Sequence, residues 1–154
     1  MQRMYLLVAT LLATSPAIAS SCDLNPLTIA QSAATGGNIT VALGEADSAD
    51  HPSAWQGPLQ ITVGHAASCT ASEDVAIVEQ PLMLGSGVLF VPTYSGSNKQ
   101  LYALDTQTCK VIWQSSVYAG VTRFGHGELT LGGLHVHLSG ECHPIVAHAV
   151  QHGA

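Results

Sequence analysis

The chain carries little charge, and basic residues are the scarcest. Its 154 residues include four Lys and Arg against ten Asp and Glu, and charged residues make up 9% of the total. Nucleic-acid binding depends on clustered Lys and Arg, so a nucleic-acid partner is not expected. Electrostatic attraction to an anionic membrane surface fails for the same reason. So few charges are typical of a secreted β protein or of a subunit whose surface is largely covered.

The sequence also lacks an apolar run that would cross a bilayer comfortably. The apolar stretch at residues 5–13 is short, and a Ser-Pro pair breaks it. A basic start precedes it, and an A-x-A sequence ends at Ala19, which is typical of a secretory signal peptide of residues 1–19. We therefore expect a periplasmic or secreted protein with no transmembrane span after cleavage. The alternative, a lipoprotein anchored through Cys22, is less favoured, because lipoprotein signals usually carry Leu, Val or Ile where Ala19 stands.

Removal of this leader would make the chain more acidic and would leave every cysteine in place. Three basic and ten acidic residues give a net charge of −7 with neutral histidines. An even number of cysteines in an oxidising compartment favours two disulfides, with three possible pairings. We expect Cys22–Cys69 with Cys109–Cys142, because this pairing ties each tail to its nearest structured segment. Free buried thiols are the alternative.

Helical patterns are nearly absent after the leader, so an all-β fold is expected. Residues 20–56 have the composition of a loosely structured segment, in which only residues 38–43 alternate like a strand. A β domain is expected over residues 57–147, where Leu59–Val63 alternates strictly between apolar and polar residues. Residues 148–154 are expected to form a flexible tail.

The most specific pattern ends at Trp113. Residues 103–113 read A-L-D-T-Q-T-C-K-V-I-W and fit A-x-D-x-x-T-G-K-x-x-W, except that Cys109 stands where glycine is expected. Strand-like segments precede this motif at residues 87–91 and 100–102. The matching motif positions are Ala103, Asp105, Thr108, Lys110 and Trp113.

The run from residue 81 to residue 113 resembles one blade of the tryptophan-docking propellers of the pyrroloquinoline-quinone dehydrogenase superfamily, which also includes non-enzymatic periplasmic scaffolds. The resemblance implies four antiparallel strands, at residues 81–84, 88–92, 100–104 and 110–114. The motif is the structural signature of a blade and names no reaction. The family's quinone cofactor needs a complete ring of blades, so the resemblance does not extend to that cofactor.

Within such a blade the motif residues have physical roles. Asp105 and Thr108 would bond backbone amides in the turn, as short polar side chains do. Trp113 would lay its indole against a neighbouring blade. Glycine permits a positive φ in this turn, so Cys109 either strains the turn or changes its type, which would suit the placing of a disulfide.

A weaker second copy of the blade begins near Gly127. Residues 128–137 parallel residues 82–91, but the turn motif and the tryptophan are missing. Blades take about 40 to 50 residues each and propellers about four to eight blades, so the mature chain supplies at most about two to three blades. We expect an all-β fold with an antiparallel sheet of propeller-blade type, as an incomplete propeller or a small open sheet or sandwich.

Histidine is the other residue type that is enriched in this sequence. His135 and His137 are two residues apart on an expected strand, so they share one face. If a three-residue loop follows, His143 lies opposite His137, and the three imidazoles would suit a Zn²⁺ or Cu²⁺ site that Glu141 or His148 completes. A cluster of surface histidines without a metal is the stronger interpretation, because a one-residue slip of the strand register removes the facing pair.

No catalytic residue is expected, because no G-x-S-x-G, G-x-G-x-x-G or P-loop sequence occurs. The leading hypothesis is a non-catalytic periplasmic or secreted binding module that docks another protein or a second copy of itself. Trp55 and Tyr94 are the aromatic candidates for the partner surface. A periplasmic His-rich metal-binding protein and an accessory subunit of a quinoprotein dehydrogenase are the alternatives.

Overall fold

The structure, a computed structural model, describes residues 21–145 and contains strands but no helix in that range. The first eight strands are β1 (Asn25–Pro26), β2 (Thr28–Ala30), β3 (Ala33–Gly36), β4 (Ile39–Ala42), β5 (Ala54–Trp55), β6 (Gln60–Val63), β7 (Cys69–Thr70) and β8 (Val78–Glu79). The remaining strands are β9 (Met83–Gly85), β10 (Val88–Ser95), β11 (Asn98–Asp105), β12 (Val111–Gln114), β13 (Thr122–Gly125), β14 (Glu128–Leu131), β15 (Leu134–Leu138) and β16 (Pro144–Ile145). The expectations for the signal peptide and for the tail at 148–154 lie outside the described residues.

The strands form three antiparallel sheets. The N-terminal sheet has the order β2-β3-β4-β6-β7, and the C-terminal sheet has the order β13-β14-β15-β16. The central sheet has the order β1-β9-β10-β11-β12, with β8 paired to β10 and β5 paired to β8. The expected all-β, antiparallel fold with open sheets is confirmed.

Two hydrophobic cores join the three sheets into layers. The first core lies between the N-terminal and central sheets and contains, among others, Val41, Ile61, Leu89, Val91 and Leu104. The second core lies between the central and C-terminal sheets and contains Phe90, Leu101, Ala103, Leu129 and Val136. Alternate residues of β10 and β11 therefore enter different cores, and this central pair of strands is buried on both faces.

The central hairpin of β10 and β11 runs in one register over its full length, from the pair Val88–Asp105 to the pair Ser95–Asn98. Pro92 lies within β10 although proline cannot donate a ladder hydrogen bond. Its partner Leu101 donates its own N–H to the Ser115 hydroxyl, 3.0 Å away on the other side of β11. Pro92 and Leu101 therefore need no backbone hydrogen bond to each other, and the missing N–H of Pro92 does not interrupt the pairing of β10 with β11.

Strands β9 to β12 form an antiparallel meander, and they overlap the four strands expected at residues 81–84, 88–92, 100–104 and 110–114. In the turn after β11, one carboxylate oxygen of Asp105 accepts hydrogen bonds from the amides of Gln107 and Thr108, at 3.1 and 2.8 Å, and from the Thr108 hydroxyl at 2.7 Å. Cys109 adopts a φ of +57°, the conformation that glycine would favour. Asp105 therefore holds the backbone amides of its turn, and Cys109 adopts the backbone conformation that glycine would favour at this position.

The N-terminal segment differs from its expectation. The described part of residues 20–56 contains β1 to β5, so the prediction of a loosely structured segment is wrong. Its strands are built from small residues, and only a few inward positions, such as Ala34 and Val41, are buried in the first core. This low contrast between the two faces hid the period-two pattern of β2 and β3, whereas β4 lies within residues 38–43, where the alternation was recognised.

All four cysteines form disulfides, but the expected pairing is wrong. Cys22 is bonded to Cys142, and Cys69 is bonded to Cys109. Stacking of the sheets brings β7 of the N-terminal sheet against the turn that holds Cys109, whereas Cys22 lies in the second core beside Cys142. Proximity in space, and not proximity along the chain, decides the pairs. A disulfide-bonded Cys22 cannot carry a lipid thioether, and two disulfides indicate an oxidising, extracytoplasmic environment.

The two tryptophans differ in burial. Trp55 is 2% exposed within the first core, and its indole N–H donates to the Gln31 carbonyl at 3.2 Å. Trp113 is half-buried and packs against the second core, beside Leu134 and Ile145 of the C-terminal sheet. Trp113 and these two side chains line one cavity, of about 340 Å³, at the boundary of the central and C-terminal sheets.

Replacing each tryptophan by alanine should show that the loss of stability is larger at the fully buried position than at the half-buried one. We expect Trp55→Ala to lower the free energy of unfolding by about 3–5 kcal/mol, and Trp113→Ala by about 2 kcal/mol, because less apolar surface is lost at the half-buried site. Urea denaturation followed by circular dichroism measures both. Equal stability of Trp113→Ala and wild type would contradict the docking role of this indole.

The two disulfides should differ in their contribution to stability because they close loops of different length. The separations are 120 residues for Cys22–Cys142 and 40 for Cys69–Cys109. Loop-closure entropy predicts that replacing the first pair by serines costs about 1 kcal/mol more than replacing the second. Chemical denaturation of the two double variants tests the order, and a larger loss from Cys69→Ser with Cys109→Ser would contradict it.

Candidate binding surface

The central hairpin presents Tyr94 at the end where its two strands turn. Trp55, the other aromatic candidate for a partner surface, is buried in the first core, so that expectation is wrong. Tyr94 is half-buried and lines two adjacent cavities of about 220 and 160 Å³. One side chain therefore separates two openings on the protein surface.

Exposed apolar side chains accompany Tyr94 in both cavities. Ile77 is 41% exposed and lines the first cavity, and Val117 is 60% exposed and lines the second. We call this region the Tyr94 surface and define it by the apolar residues Ile77, Tyr94 and Val117 and the acidic residues Glu45, Asp47 and Asp74. Large aliphatic side chains around a half-buried aromatic ring are typical of protein-binding surfaces.

The backbone of Ile77 is strained. Its φ is +52°, in the left-handed region where a β-branched residue is a genuine outlier. The carbonyl of Ile77 accepts a hydrogen bond from the Tyr94 N–H at 3.2 Å, which fixes the strained residue beside the tyrosine. Backbone strain of this kind costs about 1–3 kcal/mol and concentrates at functional sites.

Carboxylates line both cavities of the Tyr94 surface. Hydrogen bonds from the Ser53 hydroxyl, and then from the amides of Ser53 and Ala54, lower the pKa of Asp47 to about 2. This carboxylate is therefore ionised over the physiological pH range. Glu45 lines the same cavity, and Asp74 lines the other one.

The cation beside these carboxylates is already paired. Lys99 lines the second cavity, and its ammonium nitrogen lies 2.7 Å from a carboxylate oxygen of Glu79. The Tyr94 surface thus combines an apolar centre with a negative potential.

A larger cavity, of about 540 Å³, lies at the other end of the central hairpin. Turns of the N-terminal and central sheets line it, including Gly36–Gly37 and Gly85–Gly87. Its lining contains one carboxylate, that of Asp23, and no aromatic side chain. It offers fewer anchoring groups than the Tyr94 surface.

The histidines form a different cluster from the one expected. His135 and His137 do share the outer face of the C-terminal sheet, and their Nδ1 atoms lie 2.8 and 3.5 Å from the two carboxylate oxygens of Glu128. The hydrogen bond with His135, followed by the charges of the two imidazoles, lowers the pKa of Glu128. This carboxylate was not a candidate, although its position opposite His137 follows from the hairpin turn at Gly132–Gly133.

The third imidazole does not join this cluster. Ile145, and not His143, is paired with His137, because the loop after β15 runs on to His143, whose carbonyl accepts the Ser139 N–H at 2.9 Å. Glu141 is exposed in that loop, and His148 lies outside the described residues. Within residues 21–145, no group of three or more His, Cys, Asp or Glu side chains is arranged to hold a metal ion.

Comparison with known proteins does not assign the chain. No protein-family model matches it, and no curated protein is significantly similar to it. Across residues 21–145, no helix is both long and apolar enough to span a membrane.

The strained Ile77 is the feature of this surface that sequence reasoning missed. Val75–Val78 has the composition of a short strand, and only Val78 belongs to one. A positive φ at isoleucine has no sequence signal, because residue type argues against it.

The ionised Asp47 should make the stability of the fold pH-dependent in a defined window. Because its pKa is lower in the folded protein than in the unfolded chain, its stabilising contribution is complete above about pH 4 and is lost as the pH falls towards 2. We expect the stability difference between wild type and Asp47→Asn to shrink between pH 4 and pH 2. Thermal unfolding of both proteins across this range measures it, and a constant difference would contradict the assignment.

Proposed function

We propose that the protein is a non-catalytic, periplasmic or secreted binding module that recognises another protein through the Tyr94 surface. The observation that carries this proposal is the strained, exposed Ile77 held against Tyr94 between two cavities. A strained backbone that displays an isoleucine side chain to solvent lowers stability without filling a core. A partner that covered Ile77 would bury this exposed side chain, and strain of this kind concentrates at functional sites.

The layered sheets support the module's relation to a quinoprotein-type propeller. Three features agree with what the blade resemblance implies: the β9 to β12 meander, the Asp105 turn, and the position of Trp113 against the second core. We propose on this basis that the chain is similar to an incomplete propeller whose blades act as a scaffold. An accessory subunit of a quinoprotein dehydrogenase is one form of such a scaffold, and a stoichiometric copurifying dehydrogenase would identify it.

A His-rich metal-binding protein is the second candidate, and one observation favours it. His135 and His137 lie on one exposed face on either side of the Glu128 carboxylate. Zn²⁺ or Cu²⁺ would bind there only if both imidazoles turned and the His135–Glu128 hydrogen bond broke, because these three side chains are not arranged around a common metal position. A stoichiometric metal ion in the native mass spectrum of the protein, purified from its own compartment, would favour this candidate.

Photo-crosslinking tests the binding proposal directly. We expect a benzoylphenylalanine at position 94 to give one discrete protein adduct in the native compartment, and the same group at position 40 to give none. Thr40 is the control because it is exposed on the outer face of the N-terminal sheet. Mass spectrometry of the adducts identifies the partner. Equal labelling from both positions, or no adduct from position 94, would contradict the proposed surface.

An Ile77→Gly variant separates binding from folding. Glycine adopts a positive φ without strain, so the variant should unfold within a few degrees of wild type. It lacks the exposed side chain, so the adduct from position 94 should fall at least about tenfold, the effect of losing one buried aliphatic anchor. An undiminished adduct would show that Ile77 is not part of the interface.

A further inference from the structure

The charges around Tyr94 restrict the kind of partner that this surface fits. We infer that the Tyr94 surface binds an extended segment of another protein in which an apolar residue is flanked on both sides by Lys or Arg. This inference rests on the proposed binding function and adds the chemistry of the partner. It depends on the geometry of three carboxylates relative to three apolar side chains.

The apolar centre fixes where the partner's own apolar residue must lie. Tyr94 lines both cavities, with Ile77 beside it in one and Val117 in the other. Each cavity is smaller than a typical small-molecule site, which occupies about 300–1,000 Å³. Two small adjacent cavities are suited to successive side chains of an extended peptide.

The carboxylates determine which charge the partner's segment should carry on either side of its apolar residue. Glu45 and Asp47 lie in the cavity on the Ile77 side, and Asp74 lies in the cavity on the Val117 side. A basic residue before and another after the apolar one would each approach a carboxylate. An acidic segment would meet like charge at both ends and is disfavoured.

The groups around this surface do not neutralise it. Lys99 is the cationic residue in the lining of these cavities, and Glu79 occupies its ammonium group. The hydrogen bonds at Asp47 keep that carboxylate charged. The sequence as a whole has ten acidic and four basic residues, so long-range attraction also favours a cationic partner.

Binding of defined peptides to the mature protein tests the inference. The probes are three fluorescein-labelled ten-residue peptides: one with a central leucine flanked by lysines, one with glutamates in place of the lysines, and one with alanine in place of the leucine. Fluorescence anisotropy should show that the first peptide binds at least about tenfold more tightly than either of the others. Its affinity should fall as salt rises from 50 to 500 mM, because surface charges are screened over about 10 Å at 0.1 M.

Matched variants separate the Tyr94 surface from general acidity. Glu45→Gln should weaken binding of the lysine peptide about threefold and reduce its salt dependence, whereas Glu141→Gln should leave both unchanged. Both variants remove one exposed carboxylate, and Glu141 lies in the loop after β15. Equal effects of the two substitutions, or equal affinity for the lysine and glutamate peptides, would overturn the inference.

The outcomes also distinguish this inference from the proposed function. If position 94 gives a discrete protein adduct while the lysine peptide binds no better than the glutamate peptide, the inference of a basic partner segment is wrong. The proposal that the Tyr94 surface binds a protein is then still supported. If the position 94 adduct is absent as well, both proposals fall.

Discussion

The rest of the structure depends on the two-sided burial of the central hairpin. Val88 to Thr93 are buried without interruption, since alternate side chains enter opposite cores. The N-terminal sheet packs on one face of this hairpin and the C-terminal sheet on the other. At about 25 cal/mol for each Å² of apolar surface removed from water, these two contacts supply the main driving force for assembling the layers. Neither outer sheet has another described layer to cover its inner face.

Covalent links reinforce the same layers. Cys69–Cys109 joins the edge of the N-terminal sheet to the turn at the end of β11, and Cys22–Cys142 joins the start of the described chain to the loop after β15. The first link accounts for a cysteine at position 109, where the positive φ would otherwise favour glycine. The left-handed φ of Cys109 is retained, held by the Asp105 turn and by the disulfide together. A local cost in backbone conformation is thus offset by a tertiary bond.

The sequence predicted those strands in which the pattern of apolar residues and the flanking turn residues indicate the same boundaries. Strands β9 to β12 and the β14–β15 hairpin could be located because apolar runs or alternation end at turns such as Gly132–Gly133. In the N-terminal sheet, the alternation at residues 38–43 and 59–63 predicted β4 and β6, whereas β2, β3 and β7 were missed because they are short and consist mostly of small residues. The outer face of this sheet carries a row of four threonines on neighbouring strands, Thr28, Thr35, Thr40 and Thr62.

Long-range pairing accounts for the other errors. The disulfide pairs depend on how the sheets stack, which no local pattern specifies. The histidine register failed because the loop after β15 is longer than three residues, so that His137 is paired with Ile145. Tyr94 could be proposed from the sequence as an exposed aromatic residue. The sequence does not show that Trp55 differs from it, because the burial of Trp55 depends on the first core of the folded chain.

The strained Ile77 persists because its neighbours are fixed by stronger interactions. Val75 and Val78 on either side are fully buried in the first core, and Val78 is paired with Thr93 of β10 and Trp55 of β5. Relaxing φ at Ile77 would displace at least one of these valines, and burial of each is worth about 1.5–3 kcal/mol. The strain costs about 1–3 kcal/mol, so burial of the two valines together outweighs it. The same core that stabilises the central sheet therefore displays Ile77 beside Tyr94, so the surface that we propose to bind a partner is already formed in the folded protein.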